Sequence, residues 1–130
     1  MSLGVLGTKL GMTTIFEAET GKAIPVTVIQ AGPCLVTQIK TKEIDGYTAI
    51  QIGYSELPDR KRTLNTKEPK EVNKYLTSPE AGHLSKKGLP PLRHLKEYHV
   101  EDISNYELGQ TIGVDIFSEG QIIDVGGKTI

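Results

Sequence analysis

Three histidines, His83, His94 and His99, one cysteine, Cys34, and the closing run Gly127-Lys128-Thr129 are the residues whose types could carry metal, thiol or phosphate chemistry. A zinc site on a helix wants two histidines one turn apart with an acid nearby, and no spacing among the three gives that. They read as polar surface or nucleic-acid-facing residues, and no metal site is expected. Gly127-Lys128-Thr129 ends like a phosphate-binding loop, but the glycine required five positions earlier is replaced by Ile122, and too few residues follow for the helix. Ser85, Ser104 and Ser118 lie in none of the strand-to-helix elbows that expose a nucleophile. The acids are scattered singly, and Asp115 and Asp124 alternate with apolar residues as on a solvated strand face. Cys34 alone excludes an intrachain disulfide and reads as a small buried apolar residue. The sequence therefore predicts no catalytic residue, no cofactor and no small-molecule substrate.

The residue pattern that stands out is basic. Net charge is −1, yet between Leu57 and His99 ten Lys or Arg face five Asp or Glu, leaving five basic and eleven acidic residues for the rest. Within that stretch Arg60, Lys61 and Arg62 form one group, and Lys86, Lys87, Arg93 and Lys96 a second. Clustered cations of this kind approach nucleic-acid phosphates and release condensed counterions. Arg93, His94 and Tyr98 add planar groups that can stack on unpaired bases. Charge alone also fits a loop that merely keeps the chain solvated.

The elements that must position these side chains are short. Fourteen glycines, seven prolines and 37% hydrophobic residues in a chain of 130 favour a mainly β class with many turns. Val5 to Phe16 reads as a kinked strand, its glycines allowing a bulge or a close approach of another backbone or of a ligand, and the turn Glu19-Thr20-Gly21-Lys22 follows. Ile24, Val26 and Val28 alternate in a second strand before Gly32-Pro33. Leu35, Thr37 and Ile39, then Thr48, Ile50, Ile52 and Tyr54, predict a hairpin joined by a short polar connection. Residues 55–77, with Pro58, Pro69 and the charged string from Asp59, read as a solvated loop. Ser78 as a cap, Pro79 at the first helical position and Glu80 in the first turn open a short helix that runs through Ala81 to Lys87 and stops at Gly88. Arg93 to Val100 forms a further strand, and alternation over Ile112, Val114 and Ile116, then Ile123 and Val125, predicts a last hairpin. No apolar run approaches the ~20 residues that span a bilayer, and the first residues lack a secretory pattern, so no membrane partner is expected.

The string Gly4-Val5-Leu6-Gly7-Thr8-Lys9-Leu10-Gly11-Met12-Thr13-Thr14-Ile15-Phe16 resembles the N-terminal signature of the family of ribosomal large-subunit protein three. Ile24-Pro25-Val26-Thr27-Val28-Ile29, Gly32-Pro33-Cys34, Asp45-Gly46-Tyr47 and Pro79-Glu80-Ala81-Gly82-His83-Leu84 keep that family's order and approximate spacing. Gly109-Gln110 and Phe117-Ser118-Glu119-Gly120-Gln121, followed by Asp124-Val125, continue the similarity, which runs from residue 3 to about 125. The wording is closest to the bacterial and plastid branch, and Lys74-Tyr75-Leu76-Thr77 has a cyanobacterial or chloroplast flavour.

The resemblance implies a single partial domain over residues 1–130: a small translation-type β-barrel with one short helix, a basic loop and helix at 57–99, and closing strands expected from later in a longer chain. It implies a non-enzymatic constituent of the large subunit of a bacterial cytoplasmic or plastid ribosome. The partners implied are large-subunit rRNA and neighbouring large-subunit proteins, with a role in early assembly near the peptidyl-transferase region. Lys9 joins the RNA-contact set through the signature, beside Arg60, Lys61, Arg62, Lys86, Lys87, Arg93 and Lys96. The family pattern continues past Asp-Val into Thr-Gly-Thr-Ser, whereas Gly126-Gly127-Lys128-Thr129-Ile130 stands here. A small β-barrel enzyme and a protein-interaction module using exposed strand edges are the rival readings.

Overall fold

The structure is a computed structural model and describes residues 3–58, 60–64 and 70–129. In chain order it contains β1 (Gly7–Phe16), β2 (Ala23–Ala31), β3 (Cys34–Lys40), a single-turn α1 (Lys42–Asp45), β4 (Ala49–Glu56), β5 (Lys61–Leu64), β6 (Lys70–Asn73), α2 (Ser78–Ser85), β7 (Leu92–His99) and β8 (Thr111–Ile112). A 3-10 turn covers Val114–Ile116. The mainly β class follows from the sequence, and the strands form open sheets.

β1 and β2 make a two-stranded antiparallel ribbon, with the expected kink appearing as a register shift between Lys9 and Gly11. Gly7 is where the two backbones press together: a Cβ there would come 2.6 Å from the Gln30 carbonyl oxygen. Its role is thus close strand packing, one of the alternatives that glycine at this point allows.

The centre is a four-stranded antiparallel sheet in the order β7-β4-β3-β8. Leu35 opposes Gly53 and Val36 opposes Ile52, so neighbouring pairs project to opposite faces. On one face Cys34, Val36, Ile50, Ile52, Val100 and Ile112 form a buried cluster covered by Leu3, Val5 and Leu6. On the other, Leu57, Leu76, Leu84 and Leu92 pack with Leu35 and Leu95 under α2. Leu84 is 1% exposed, and full burial of such a side chain contributes roughly 1.5–3 kcal/mol. That contribution holds an eight-residue helix too short to persist by itself.

Four expectations need correction. The segment 55–77 is not simply a loop: β4 runs on to Glu56, and β5 and β6 pair as a hairpin, Lys61 opposite Asn73 and Leu64 opposite Lys70. Charged residues in both strands leave no apolar alternation to read. The polar connection after β3 winds into α1, closed by Gly46. The helix begins one residue early, at Ser78, with Thr77 in place of Ser78 as its cap and Glu80 Oε2 accepting from the Thr77 N–H at 3.1 Å. Helical turns do run on to Gly88, whose N–H reaches the Ser85 carbonyl at 3.0 Å. The last hairpin does not form: beyond β8 the chain makes the 3-10 turn, and residues 117–129 contain no strand. Ile123 and Val125 there are 49% and 70% exposed, so their alternation has no face to bury.

Candidate nucleic-acid interface

α2 is the element around which the predicted basic residues gather. It lies over the β3–β4–β7 face through Leu84, and its two ends carry different cations. Near its start, Arg62 on β5 donates Nη2–H to the Leu76 carbonyl at 3.0 Å, and Lys74 N–H reaches the Arg60 carbonyl at 2.6 Å. Arg93, on β7, lines a shallow depression of about 320 Å³ with Leu76, Glu80, Leu84 and Leu95. At its end, Lys86 is exposed and Lys87 is half-buried.

Lys87 is tied to the sheet. Its ammonium donates to the Thr37 carbonyl at 3.1 Å. Thr37, the residue at which the β3–β4 register shifts, is fully buried and donates its hydroxyl to Gln51 Oε1 at 2.9 Å. The same Gln51 oxygen lies 3.1 Å from His83 Nε2, one helical turn before Lys87. Since that oxygen only accepts, His83 donates through Nε2–H, and Nδ1 is the nitrogen left to take up a proton. Burial, then the charges of Lys87 and Lys40, hold the His83 imidazole below its ordinary range. Burial first, then Lys40 and Lys86, lower the Lys87 ammonium likewise.

Lys40, at the end of β3, is absent from the predicted set because it precedes the basic stretch. It forms an ion pair with Glu97 of β7 at 2.8 Å and donates to the Tyr47 hydroxyl at 3.0 Å. These contacts raise its pKa and lower that of Glu97. The ammonium is 5.4 Å from the Tyr47 ring centre but only 3.0 Å from its hydroxyl, so it sits at the polar end of the ring and not over its face. The signal that could have found Lys40 is strand alternation: with Gln38 it continues the polar positions of β3.

Of the remaining predicted contacts, Lys96 is registered opposite Ile52, on the face away from Leu95 and α2, and does not join the group. Lys9 is exposed on the separate β1–β2 ribbon. Lys61 belongs to β5, but its side chain lies outside the described residues, as does all of Lys67. Tyr98, read as a stacking residue, instead packs on the first core cluster, with its ring edge against Gly4. His94 is exposed opposite Tyr54, and His99 stacks at 5.1 Å and 33° on Tyr47 beside a second shallow depression of about 340 Å³. Cys34 is fully buried, donates to the Leu6 carbonyl at 3.4 Å, and has its thiol pKa pushed up by burial. Among the described residues no three His, Cys, Asp or Glu side chains group as metal ligands, and no helix is long and apolar enough to cross a membrane.

A mainly β domain with several cations about one short helix is what the geometry defines. The comparisons give a particular likeness. No family model matches the chain. All 130 residues align with large ribosomal subunit protein uL3 of Trichodesmium erythraeum at 65% identity, covering 57% of that protein. Against the uL3 proteins of Picosynechococcus and Thermosynechococcus vestitus the identities are 58% and 53%, each over 54% of the relative. The chain matches the N-terminal portion of uL3 in its cyanobacterial form, as the opening signature implied. It spans little more than half the length of these relatives. The alignments run through the final five residues as well.

Proposed function

We propose that this chain acts as part of a structural constituent of the large ribosomal subunit and binds large-subunit rRNA directly, through the cations around α2. The observation that carries the reading is the placement of Arg62, Lys86, Lys87 and Arg93 about one eight-residue helix, in a chain 65% identical to a uL3 protein. Lys9, Arg60 and Lys96 are outer phosphate contacts in this reading, and Lys61 belongs with Arg60 and Arg62 by position. A bacterial cytoplasmic or plastid ribosome is the setting, and the work is structural, not enzymatic. Support of early assembly near the peptidyl-transferase region belongs to the same proposal and rests on the family likeness.

Neighbouring large-subunit proteins are the second class of partner. The β1–β2 ribbon offers them Leu10, Met12 and Phe16, each more than 60% exposed.

The test is co-sedimentation of the native protein with large subunits through a high-salt sucrose gradient, followed by peptide mass spectrometry. Retention at about one copy per subunit is expected. Release to the soluble fractions would reject the ribosomal reading and return attention to an enzyme or an interaction module.

A further inference from the structure

We propose that Lys40, Lys86 and Lys87 form a seat for one RNA backbone phosphate beside His83, and that the seated phosphate draws a proton onto His83 Nδ1. The inference rests on the RNA-binding reading and deepens it, since neither Lys40 nor His83 belongs to the predicted contact set.

The geometry comes from three elements. β3 supplies Lys40 and the Thr37 carbonyl that anchors Lys87 at 3.1 Å; β4 supplies Gln51, which anchors His83 at 3.1 Å; α2 supplies His83, and the turn that ends it supplies Lys86 and Lys87. Both anchors converge on Thr37, whose hydroxyl meets the same Gln51 oxygen. His83 and Lys87 are thus fixed on one side of α2 and against one patch of sheet. Anchoring in advance removes side-chain entropy that a free surface lysine would lose on binding.

The charges are unbalanced. Lys40 and Lys86 both act on Lys87, and Lys40 and Lys87 both act on His83, each as a like charge. Two acids lie nearby. Glu97 of β7 is engaged by Lys40 at 2.8 Å, and Glu80 of α2 is turned to the Thr77 N–H at 3.1 Å. Thr37 and Gln51, the other groups facing His83, do not titrate in the working range. An anion entering here meets cations that already disfavour one another, and it relieves that repulsion. The same anion reverses the field on the imidazole. Burial and neighbouring cations disfavour the His83 imidazolium while the seat is empty, and a phosphate favours it. Proton uptake and phosphate binding then strengthen each other by the same factor.

Affinity for RNA should accordingly rise as pH falls, by up to about tenfold per pH unit between the imidazole pKa of the free and of the bound protein. The experiment is binding of the 130-residue chain to in vitro transcribed large-subunit rRNA at fixed salt from pH ~5.5 to ~8, a range that spans the ordinary histidine pKa, with the His83 imidazole followed by NMR in the same samples. His83→Gln keeps a donor for the Gln51 carbonyl but cannot titrate. We expect the wild-type pH slope to flatten in His83→Gln, and the wild-type His83 resonance to titrate at higher pH with RNA bound. An equal slope in both proteins, or an imidazole pKa unmoved by RNA, would overturn the proposal while leaving RNA binding intact. Failure of the wild type to bind at any pH would overturn the RNA-binding reading itself. Inorganic phosphate reproducing the full shift would assign the seat to a free anion and reject the RNA form.

Discussion

Leu92 occupies the space that a side chain on Gly53 would take. Gly53, in the middle of β4, is paired with Leu35 and Leu95, and a Cβ there would collide with Leu92 Cδ1 and come within 3.0 Å of the Thr37 methyl. The strand accepts glycine, a poor strand former, because Leu92 must reach across it to the α2 cluster. Gly53→Ala should therefore overpack the face under α2 and cost about 1–3 kcal/mol, read as a lower urea midpoint with an unchanged slope. An unshifted midpoint would mean that Leu92 moves aside freely.

The cations around α2 make a quantitative prediction for RNA binding. Replacing Lys86, Lys87, Arg93 and Lys96 together by Gln should weaken binding and reduce the slope of log K against log salt by ~0.7–0.9 for each phosphate left without its cation. The structure refines the expectation within the set. Lys96 lies on the opposite face from Leu95, so Lys96→Gln alone should change the slope less than Lys86→Gln. The reverse order, from salt titrations of the single variants, would put the RNA on the other face of the sheet.

How legible these features are in sequence depends on what each residue's neighbours reveal. The β3–β4 pairing is plain because Ile50 and Ile52 alternate with Ala49, Gln51 and Gly53 and bury one face. The register shift at Thr37, however, sends Leu35 and Ile39 to opposite faces and puts Val36 with Ile39, which alternation alone does not foresee. The β5–β6 hairpin is not plain, because charged residues replace the alternation. The strand pattern at Ile112, Val114 and Ile116 misleads for the opposite reason: the apolar period is present, but only Ile112 has a neighbour, Cys34, to pair with. For the candidate interface, charge clustering finds Lys86, Lys87 and Arg93. It misses Lys40, and it gives no hint that His83 is held by Gln51, a residue 32 positions away. Long-range hydrogen bonds of this kind leave no local signature, and neither does the inward turn of Tyr98, decided by its register opposite Ile50.

His83 also sets a pH dependence of folding. Its imidazole is lowered from the ordinary value of 6.5, mainly by burial, so the unfolded chain binds the proton more readily than the folded one. The stability it contributes is complete above pH 6.5 and declines as pH falls below that value through the folded pKa. Glu97, lowered from 4.5 by Lys40, follows the same sign but in a more acidic window, so the two are separable. Urea midpoints measured from pH ~7.5 to ~5, across the ordinary histidine range, should fall less in His83→Gln than in the wild type. Parallel curves would show that His83 is as easily protonated in the folded protein as in the unfolded one.

The β1–β2 ribbon predicts how the chain behaves when alone. After the register shift, Met12, Thr14 and Phe16 share one face of β1, and Thr13 and Ile15 share the other. Met12 and Phe16 are 64% and 72% exposed, Ile15 is 52%, and Ile24 and Ile29 on β2 are near 40%. A two-stranded ribbon with apolar residues on both faces is marginal in water, and its open strand edges can pair with another chain. The 130-residue protein should therefore self-associate, with an average mass that rises with concentration in sedimentation equilibrium. Met12→Thr with Phe16→Thr should suppress that rise, since threonine keeps the strand propensity and removes the apolar surface. If the wild type stays at monomer mass and melts in one sharp two-state transition, the ribbon's exposed faces drive no association.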